Sequence, residues 1–133
     1  MTLEEIRSAV MATIDSSWAT CTVIDHPNQP FTQPANAAWI RPRIKMGPSF
    51  YGELGETGVG LRTGVLFIEI FVPAGSGTKT GSLLCARAEA IVRRKDLSGV
   101  RFDEPSSDYV GIDEATGAAR FLLTCDLNTW INP

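Results

Sequence analysis

Two segments of the chain carry apolar residues at steps of three and four, the spacing of one face of an α-helix. In residues 3–16 these positions are Leu3, Ile6, Val10 and Ile14. Thr2 and Glu5 form a capping-box pair at the start of this segment, which can satisfy free amides at a helix start. In residues 79–94 the apolar positions are Leu84, Ala88 and Ile91. The pattern therefore predicts two amphipathic helices.

The segment "VLFIEIFV", residues 65–72, is the clearest strand, because both of its alternating faces are mostly apolar. It should be central in a sheet, covered by helices on one face and by a partner on the other. Further strands are expected at residues 17–24, 37–46 and 120–131, with short ones in "GVRF" and "DYVGI".

Proline and glycine mark the breaks between these elements. Pro42 cannot donate a ladder hydrogen bond, so strand 37–46 should lie at an edge or contain a bulge. Residues 25–34 should be a loop, residues 47–64 a long mobile connection, and residues 113–117 a hairpin turn. We predict one domain, residues 1–133, of the α+β class: a mostly antiparallel sheet with two helices packed on it.

Composition narrows the classes of function. The formal charge of −3 argues against a protein that grips nucleic acid, because phosphate contacts need clustered lysine and arginine. No apolar run is long enough to span a membrane, and the N-terminus lacks the order of a signal peptide, so we expect a cytoplasmic site of synthesis and no membrane partner. Three widely spaced cysteines are typical of free thiols.

The stretch "VPAGSGTKTGS", residues 72–82, resembles a phosphate-binding loop because a glycine-rich turn leads from a strand to a helix. A Walker loop, however, needs glycine just before its lysine and again five residues earlier. This chain has Thr78 and Pro73 at those positions. A sharp turn that lets the helix lie back across the sheet explains the stretch better.

The remaining candidates for chemistry are weak. His26 is the only histidine and lies in a loop, and no motif marks a nucleophile for it to activate. The cysteines are too far apart for a zinc site, and the acids at residues 103–114 lack a calcium-loop pattern. We therefore expect no catalytic residue, no metal and no cofactor, and a protein that is not an enzyme.

Trp39, Arg41, Arg43 and Lys45 alternate along the second strand and should project from one face. This basic stripe could meet nucleic acid, or it could be an outward face that makes salt bridges within the chain. A third interpretation is a subunit contact, in which the stripe meets an acidic cluster on a neighbour that includes Asp103 and Glu104. We favour the third, because the net charge is negative and Pro42 places the strand near an edge.

The order of motifs resembles the tail terminator proteins of long-tailed, siphovirus-type bacteriophages and prophages. A short N-terminal helix is followed by "WIRPRI", a glycine-rich loop, "LRTGVLFIEIFVPAGSGTKTGSLLCARAEAIV" and a final strand with an aromatic residue. The most specific part of the resemblance is residues 62–92.

The resemblance implies a ring, usually of six subunits, at the head-proximal end of the virion tail, made and assembled in the host cytoplasm. Such a ring caps the tail tube, stops its polymerisation and presents a surface to the head–tail connector protein. Genomic DNA passes through the lumen without specific binding, and six copies at −3 each would carry −18 and repel it. Within the glycine-rich loop, Glu53, Glu56 and Arg62 are the expected contacts with the tail tube protein.

Two alternatives to a tail terminator remain open on sequence alone. One is another head–tail joining, neck or tail-completion protein, which would differ in its binding partner. The other is a small ligand-binding domain that uses the 73–82 loop, for which a nucleotide should shift thermal stability.

Overall fold

The computed structural model describes most of the chain in detail: residues 3–18, 21–27, 29–34, 36–51, 60–75, 78–97, 99–115 and 117–131. The elements in chain order are α1 (Leu3–Trp18), β1 (Val23–Ile24), β2 (Trp39–Tyr51), β3 (Gly60–Val72), α2 (Lys79–Val92), β4 (Asp96–Leu97), β5 (Val100–Phe102), β6 (Ser106–Ile112) and β7 (Ala119–Ile131). No described helix combines the length and apolar character that crossing a membrane would require.

All seven strands belong to one sheet in the order β1-β2-β3-β7-β5-β4, and β6 pairs with β7 beside β5. β3 lies between β2 and β7 and pairs with β7 along its whole length, from Gly60 to Val72, so the prediction of a central third strand is confirmed. The fold is α+β with two helices, as expected. The sheet is mixed, however, and not mostly antiparallel as predicted, because the short β1 runs parallel to β2.

The helices pack on one face of the sheet. Ile6, Val10 and Ile14 of α1 and Leu84, Ala88 and Ile91 of α2 form one core cluster with Leu66, Ile68 and Ile70 of β3. On β7 the alternate residues Phe121, Leu123, Cys125 and Leu127 join the same cluster. Both helical stripes found in the sequence therefore face the sheet.

The expected strand at residues 17–24 is wrong except at its end. Ser17 and Trp18 belong to α1, and only Val23 and Ile24 pair in the sheet. Trp18 lies one helical turn beyond Ile14, is fully buried, and donates from Nε1 to Oγ1 of Thr22 at 2.8 Å. Burial of this ring extended the helical stripe past the point at which β-propensity suggested a strand.

The expected long connection at residues 47–64 is also corrected. β2 continues to Tyr51 and β3 begins at Gly60, so the two strands form one long hairpin. Of residues 47–64, only residues 52–59 lie outside the described chain. Met46 pairs with Gly64 and Ser49 with Arg62, so β2 carries one extra residue in between. Pro48 falls in this bulge, where a missing amide hydrogen costs no ladder bond. The predictions for Thr2, which is needed for the capping box, and for residues 52–59 of the glycine-rich loop lie outside the described residues.

Candidate assembly surface

The face of the sheet opposite the helices carries most of the predicted site residues. We call it the open face; its side chains on β2, β3 and β7 are Arg41, Arg43, Lys45, Val65, Phe67, Glu69, Arg120, Leu122, Thr124 and Asp126. Register fixes this set, because Arg41 pairs with Glu69, and Glu69 with Leu122, in directly opposed positions. Charged and half-buried apolar residues therefore alternate across a single surface.

Trp39 supports the fold at one end of this face. Its ring is 2% exposed and stacks on Phe71 with centroids 3.9 Å apart and planes at 9°. Phe31, in the segment after β1, covers it with centroids 4.9 Å apart. An aromatic stack enclosed in this way serves packing, so Trp39 presents little surface to another molecule.

Arg41 and Arg43 are held by carboxylates of the same chain. Nε of Arg41 lies 2.9 Å from Oδ2 of Asp25, and Nη2 of Arg43 lies 3.4 Å from the same oxygen. Arg43 also donates from Nη1 to the backbone carbonyl of Asp25 at 2.8 Å. Glu69 joins the group through Arg41 at 3.8 Å and Arg120 at 3.2 Å.

This arrangement anchors the segment after β1 to the outer side of β2. Asp25 is 7% exposed, and its backbone amide donates to the carbonyl of Ile40 at 2.8 Å. The two arginines therefore have structural partners already, which is the second of the three interpretations of the basic stripe. Lys45 is exposed, and no described carboxylate pairs with it.

Lys45 lies in a shallow cleft that reaches across the sheet. The cleft has a volume of about 490 Å³ and includes Val65, Asp126 and Asp103 in its lining. Lys45 pairs with Val65, Val65 pairs with Asp126, and the amide of Asp103 donates to the carbonyl of Asp126 at 3.0 Å. Lys45 on β2 and Asp126 on β7 thus lie at one level of the open face, with β3 between them.

Glu104, the other predicted acidic contact, pairs with two arginines at the end of α2. Its carboxylate lies 3.0 Å from Nε of Arg93 and 3.3 Å from Nε of Arg94. Arg94 adopts a positive φ of 49°, which turns the chain from the helix towards β4. All three side chains are partly or largely exposed, so this cluster contributes little to stability and is accessible to a partner.

Of the predicted tail-tube contacts, the structure describes Arg62, which lies on β3. Arg62 pairs with Thr129 of β7, on the side of the sheet that carries Leu66. Its Nε is buried, and no acceptor among the described residues lies within hydrogen-bond distance. Glu53 and Glu56 lie outside the described residues.

Sequence reasoning placed strand 37–46 near an edge but did not identify the short β1 or the exposed apolar residues of β6 as surfaces. We define the β1 edge as β1 with the outer side of β2, and the β6 edge as β6 with the preceding Asp103 and Glu104. Val23 on the β1 edge is 50% exposed, and Ile112 on the β6 edge is 56% exposed. The sequence of β6, "SSDYVGI", gave no alternating signal for this position, because its polar and apolar residues are both exposed.

The remaining candidates from the sequence are the turn before α2, His26 and the three cysteines. Gly75 has a φ of 83° in the turn that leads to α2, and Lys79 opens that helix at the surface. His26 lies 2.8 Å from Asp15 through Nε2. Cys85 and Cys125 are buried while Cys21 is exposed, and within the described residues no three metal-binding side chains come together.

Comparisons with known proteins point to one family. A family profile for phage tail terminator proteins matches residues 5–114. No curated protein sequence matches the chain. One solved structure superimposes with a TM-score of 0.67 at 14% identity, covering 96% of this chain and 97% of its own. At that identity the structural likeness concerns the fold alone.

Proposed function

Because the chain belongs to the phage tail terminator family, we propose that it forms a ring that caps the tail tube and stops its polymerisation. The family match carries this proposal, since it spans most of the chain. Members of the family are structural proteins of the virion tail that interact with tail and head components. The same ring would then offer the surface to which the head–tail connector protein attaches.

A closed ring of identical subunits needs a head-to-tail contact between two different surfaces of the chain. The β1 edge carries the exposed Lys45, and the β6 edge carries the exposed Asp103 next to Glu104, whose carboxylate is shared with Arg93 and Arg94. We propose that these surfaces meet between neighbours, with Lys45 as the accessible cation of the stripe and Arg41 and Arg43 holding the strand behind it. Six copies are the expected number.

The ring would sit at the head-proximal end of the tail, after assembly in the host cytoplasm. Genomic DNA would pass through its lumen. With six copies at −3 each, the ring would carry −18, so double-stranded DNA would slide past it without specific binding. On the side of the ring that faces the tail, the β2–β3 hairpin with Glu53, Glu56 and Arg62 would contact the last ring of tail tube protein.

The test of this function is a tube-growth assay. Purified protein is added to polymerising tail tube protein, and tube lengths are measured by negative-stain microscopy. Addition should shorten the tubes and leave a ring at one end of each. Unchanged lengths with no terminal ring would overturn the proposal, and selective stabilisation by a nucleotide would instead favour the ligand-binding alternative.

The ionic part of the contact is tested by charge reversal. Lys45→Glu should weaken the ring, because it places like charges across each junction. Arg7→Glu makes the same change in charge on α1, which packs on the face of the sheet opposite Lys45, and should leave assembly unaltered. Adding Asp103→Lys and Glu104→Lys to Lys45→Glu should restore the ring in sedimentation velocity, and failure of this rescue would remove the pairing.

A further inference from the structure

We propose that Val110 and Ile112 on the β6 edge of one copy pack into an apolar cavity beside β1 of the next copy. This inference rests on the proposed ring and supplies the apolar part of its junction. The partner is a second copy of this chain, joined head to tail.

The inserting side is the β6 edge. Within the described chain, β6 pairs only with β7, so its other side presents unpaired backbone groups. Tyr109, Val110 and Ile112 are all more than two-fifths exposed there. The strand bulges between Tyr109 and Gly111, and Gly111 has a φ of 104°. Consecutive exposed apolar residues on an open edge are an aggregation hazard unless another chain covers them.

The receiving side is a cavity of about 550 Å³ at the opposite edge of the sheet. Its lining consists of Cys21, Thr22, Val23, Ala37, Ala38, Thr80 and Leu84. Leu83, next to Leu84 on α2, is 62% exposed. An apolar cavity of about 150 Å³ already accommodates a benzene-sized group, so this one has room for two aliphatic side chains.

Strand register brings the two sides to the same level. Val23 pairs with Trp39, Trp39 with Phe71, Phe71 with Arg120, and Arg120 with Gly111. A second copy placed beside the first, with its strands at the same height, therefore puts residues 110–112 against β1. The strand directions suit this placement, since β6 runs antiparallel to β1 across the sheet.

The ionic and apolar parts of the junction agree in height. The distance along β2 from Trp39 to Lys45 equals the distance along β7 from Arg120 to Asp126. The carbonyl of Asp126 accepts a hydrogen bond from the amide of Asp103. One placement of the neighbour thus brings Ile112 to Val23 and Asp103 towards Lys45. A junction of two β6 edges would instead leave the cavity empty.

The chain offers a sharp test, because Cys21 is exposed and lines the cavity. In Ile112→Cys, the introduced thiol of one copy should lie close to Cys21 of the next. Mild oxidation, or a short bis-maleimide where disulfide geometry is unfavourable, should give a ladder of covalent dimers and higher multimers on denaturing gels. Adding Cys21→Ser to this variant should abolish the ladder. Leu3→Cys, which places a thiol at an exposed apolar position on α1, should give none.

The outcomes separate this inference from the proposed function. Rings that cap tubes but give no ladder with Ile112→Cys or Val110→Cys would overturn the junction and leave the function standing. A ladder from a protein that never shortens tubes would support the junction and overturn the function. The second cysteine variant keeps the test valid if the first does not fold, as judged by circular dichroism.

Discussion

At the scale of single residues, a glycine lets α2 lie against the sheet. Gly81 is buried, and a Cβ built there would come within 2.0 Å of Cε1 of Phe121 on β7. Phe121 cannot easily retreat, because its ring is 4% exposed and packs against Tyr109 at 5.2 Å. Glycine in this helix therefore provides space for an aromatic ring.

We expect Gly81→Ala to destabilise the protein, although alanine is the better helix former by about 1 kcal/mol. Overpacking against a fixed ring costs about 1–3 kcal/mol, which outweighs that gain. Urea unfolding measures the difference. Adding Phe121→Leu should recover part of the loss, and an alanine variant more stable than the wild type would contradict this account.

The thiol of Cys125 makes stability depend on pH in the alkaline range. Burial raises its pKa to about 11, and the charges of Asp103 and Asp126 add to the effect. The ordinary thiol pKa is 9.0, so between these values the unfolded chain loses a proton that the folded chain keeps. The free energy of unfolding should therefore fall as pH rises from 9 towards 11.

Between pH 8 and pH 10.5 this thiol should cost the wild type about 2 kcal/mol, since one pKa unit corresponds to about 1.4 kcal/mol. Urea titrations at the two pH values measure the loss, and Cys125→Ala should show a loss smaller by that amount. Cys21→Ala, which removes a surface thiol, should follow the wild type. Equal losses in Cys125→Ala and wild type would show that other groups set the alkaline limit.

At the scale of elements, the sequence predicted best where one periodicity acted alone. The stripes of α1 and α2 were found with nearly correct bounds, and the doubly apolar residues 65–72 were correctly placed in a central strand, because burial imposes a repeat that can be read locally. The strand predicted at residues 17–24 was wrong because the burial of Trp18 depends on strands that are distant in the sequence. The long hairpin was not predicted because its glycines suggested a loop, whereas pairing with β7 holds Gly60 and Gly64 in a strand.

The candidate site was harder to predict, for the same physical reason. The alternation of Arg41, Arg43 and Lys45 placed them correctly on one face, yet only the fold shows that Asp25 binds the two arginines. Val23 and Ile112 lie at edges because of the order of the strands in the sheet. A two-residue parallel strand and the outer position of β6 carry no periodic signal of their own.

The β2–β3 hairpin is the element proposed to meet the tail tube. We expect Glu53→Lys combined with Glu56→Lys to give overlong tails while the ring still forms, because the reversal changes the proposed tube contact and not the sheet edges. Tail lengths in phage particles, measured by electron microscopy, provide the test. Arg62→Gln, which removes the guanidinium with the unpaired buried Nε, should act in the same direction.

The matched control for the hairpin is Glu4→Lys with Glu5→Lys, two acids in the first turn of α1. It makes the same change in charge, so normal tails in this control would assign the effect to the hairpin. Normal tails in the hairpin variant would remove Glu53 and Glu56 from the tube contact, and a lost ring would show that they serve self-association.

At the scale of the whole molecule, the two edges that we propose to meet carry different side chains. The β6 edge offers apolar side chains and acids, and the β1 edge offers an apolar cavity and Lys45. A contact between unlike surfaces leaves one of each free at the ends of any open assembly, so growth continues until the curvature closes a ring. In the proposed ring, closure covers the β1 edge and the β6 edge of every copy.

A mixing experiment distinguishes this arrangement from any two-fold contact. Ile112→Lys should disable the β6 edge and keep the β1 edge, whereas Val23→Lys should do the reverse, since a lysine cannot be buried at an apolar junction without a large desolvation cost. Each variant alone should be monomeric. Mixed, they should form dimers and nothing larger, because each pair has one intact junction and two disabled ends.

Sedimentation velocity measures the masses. Rings in the mixture, or dimers of Val23→Lys alone, would show that like edges pair and that the head-to-tail junction is wrong.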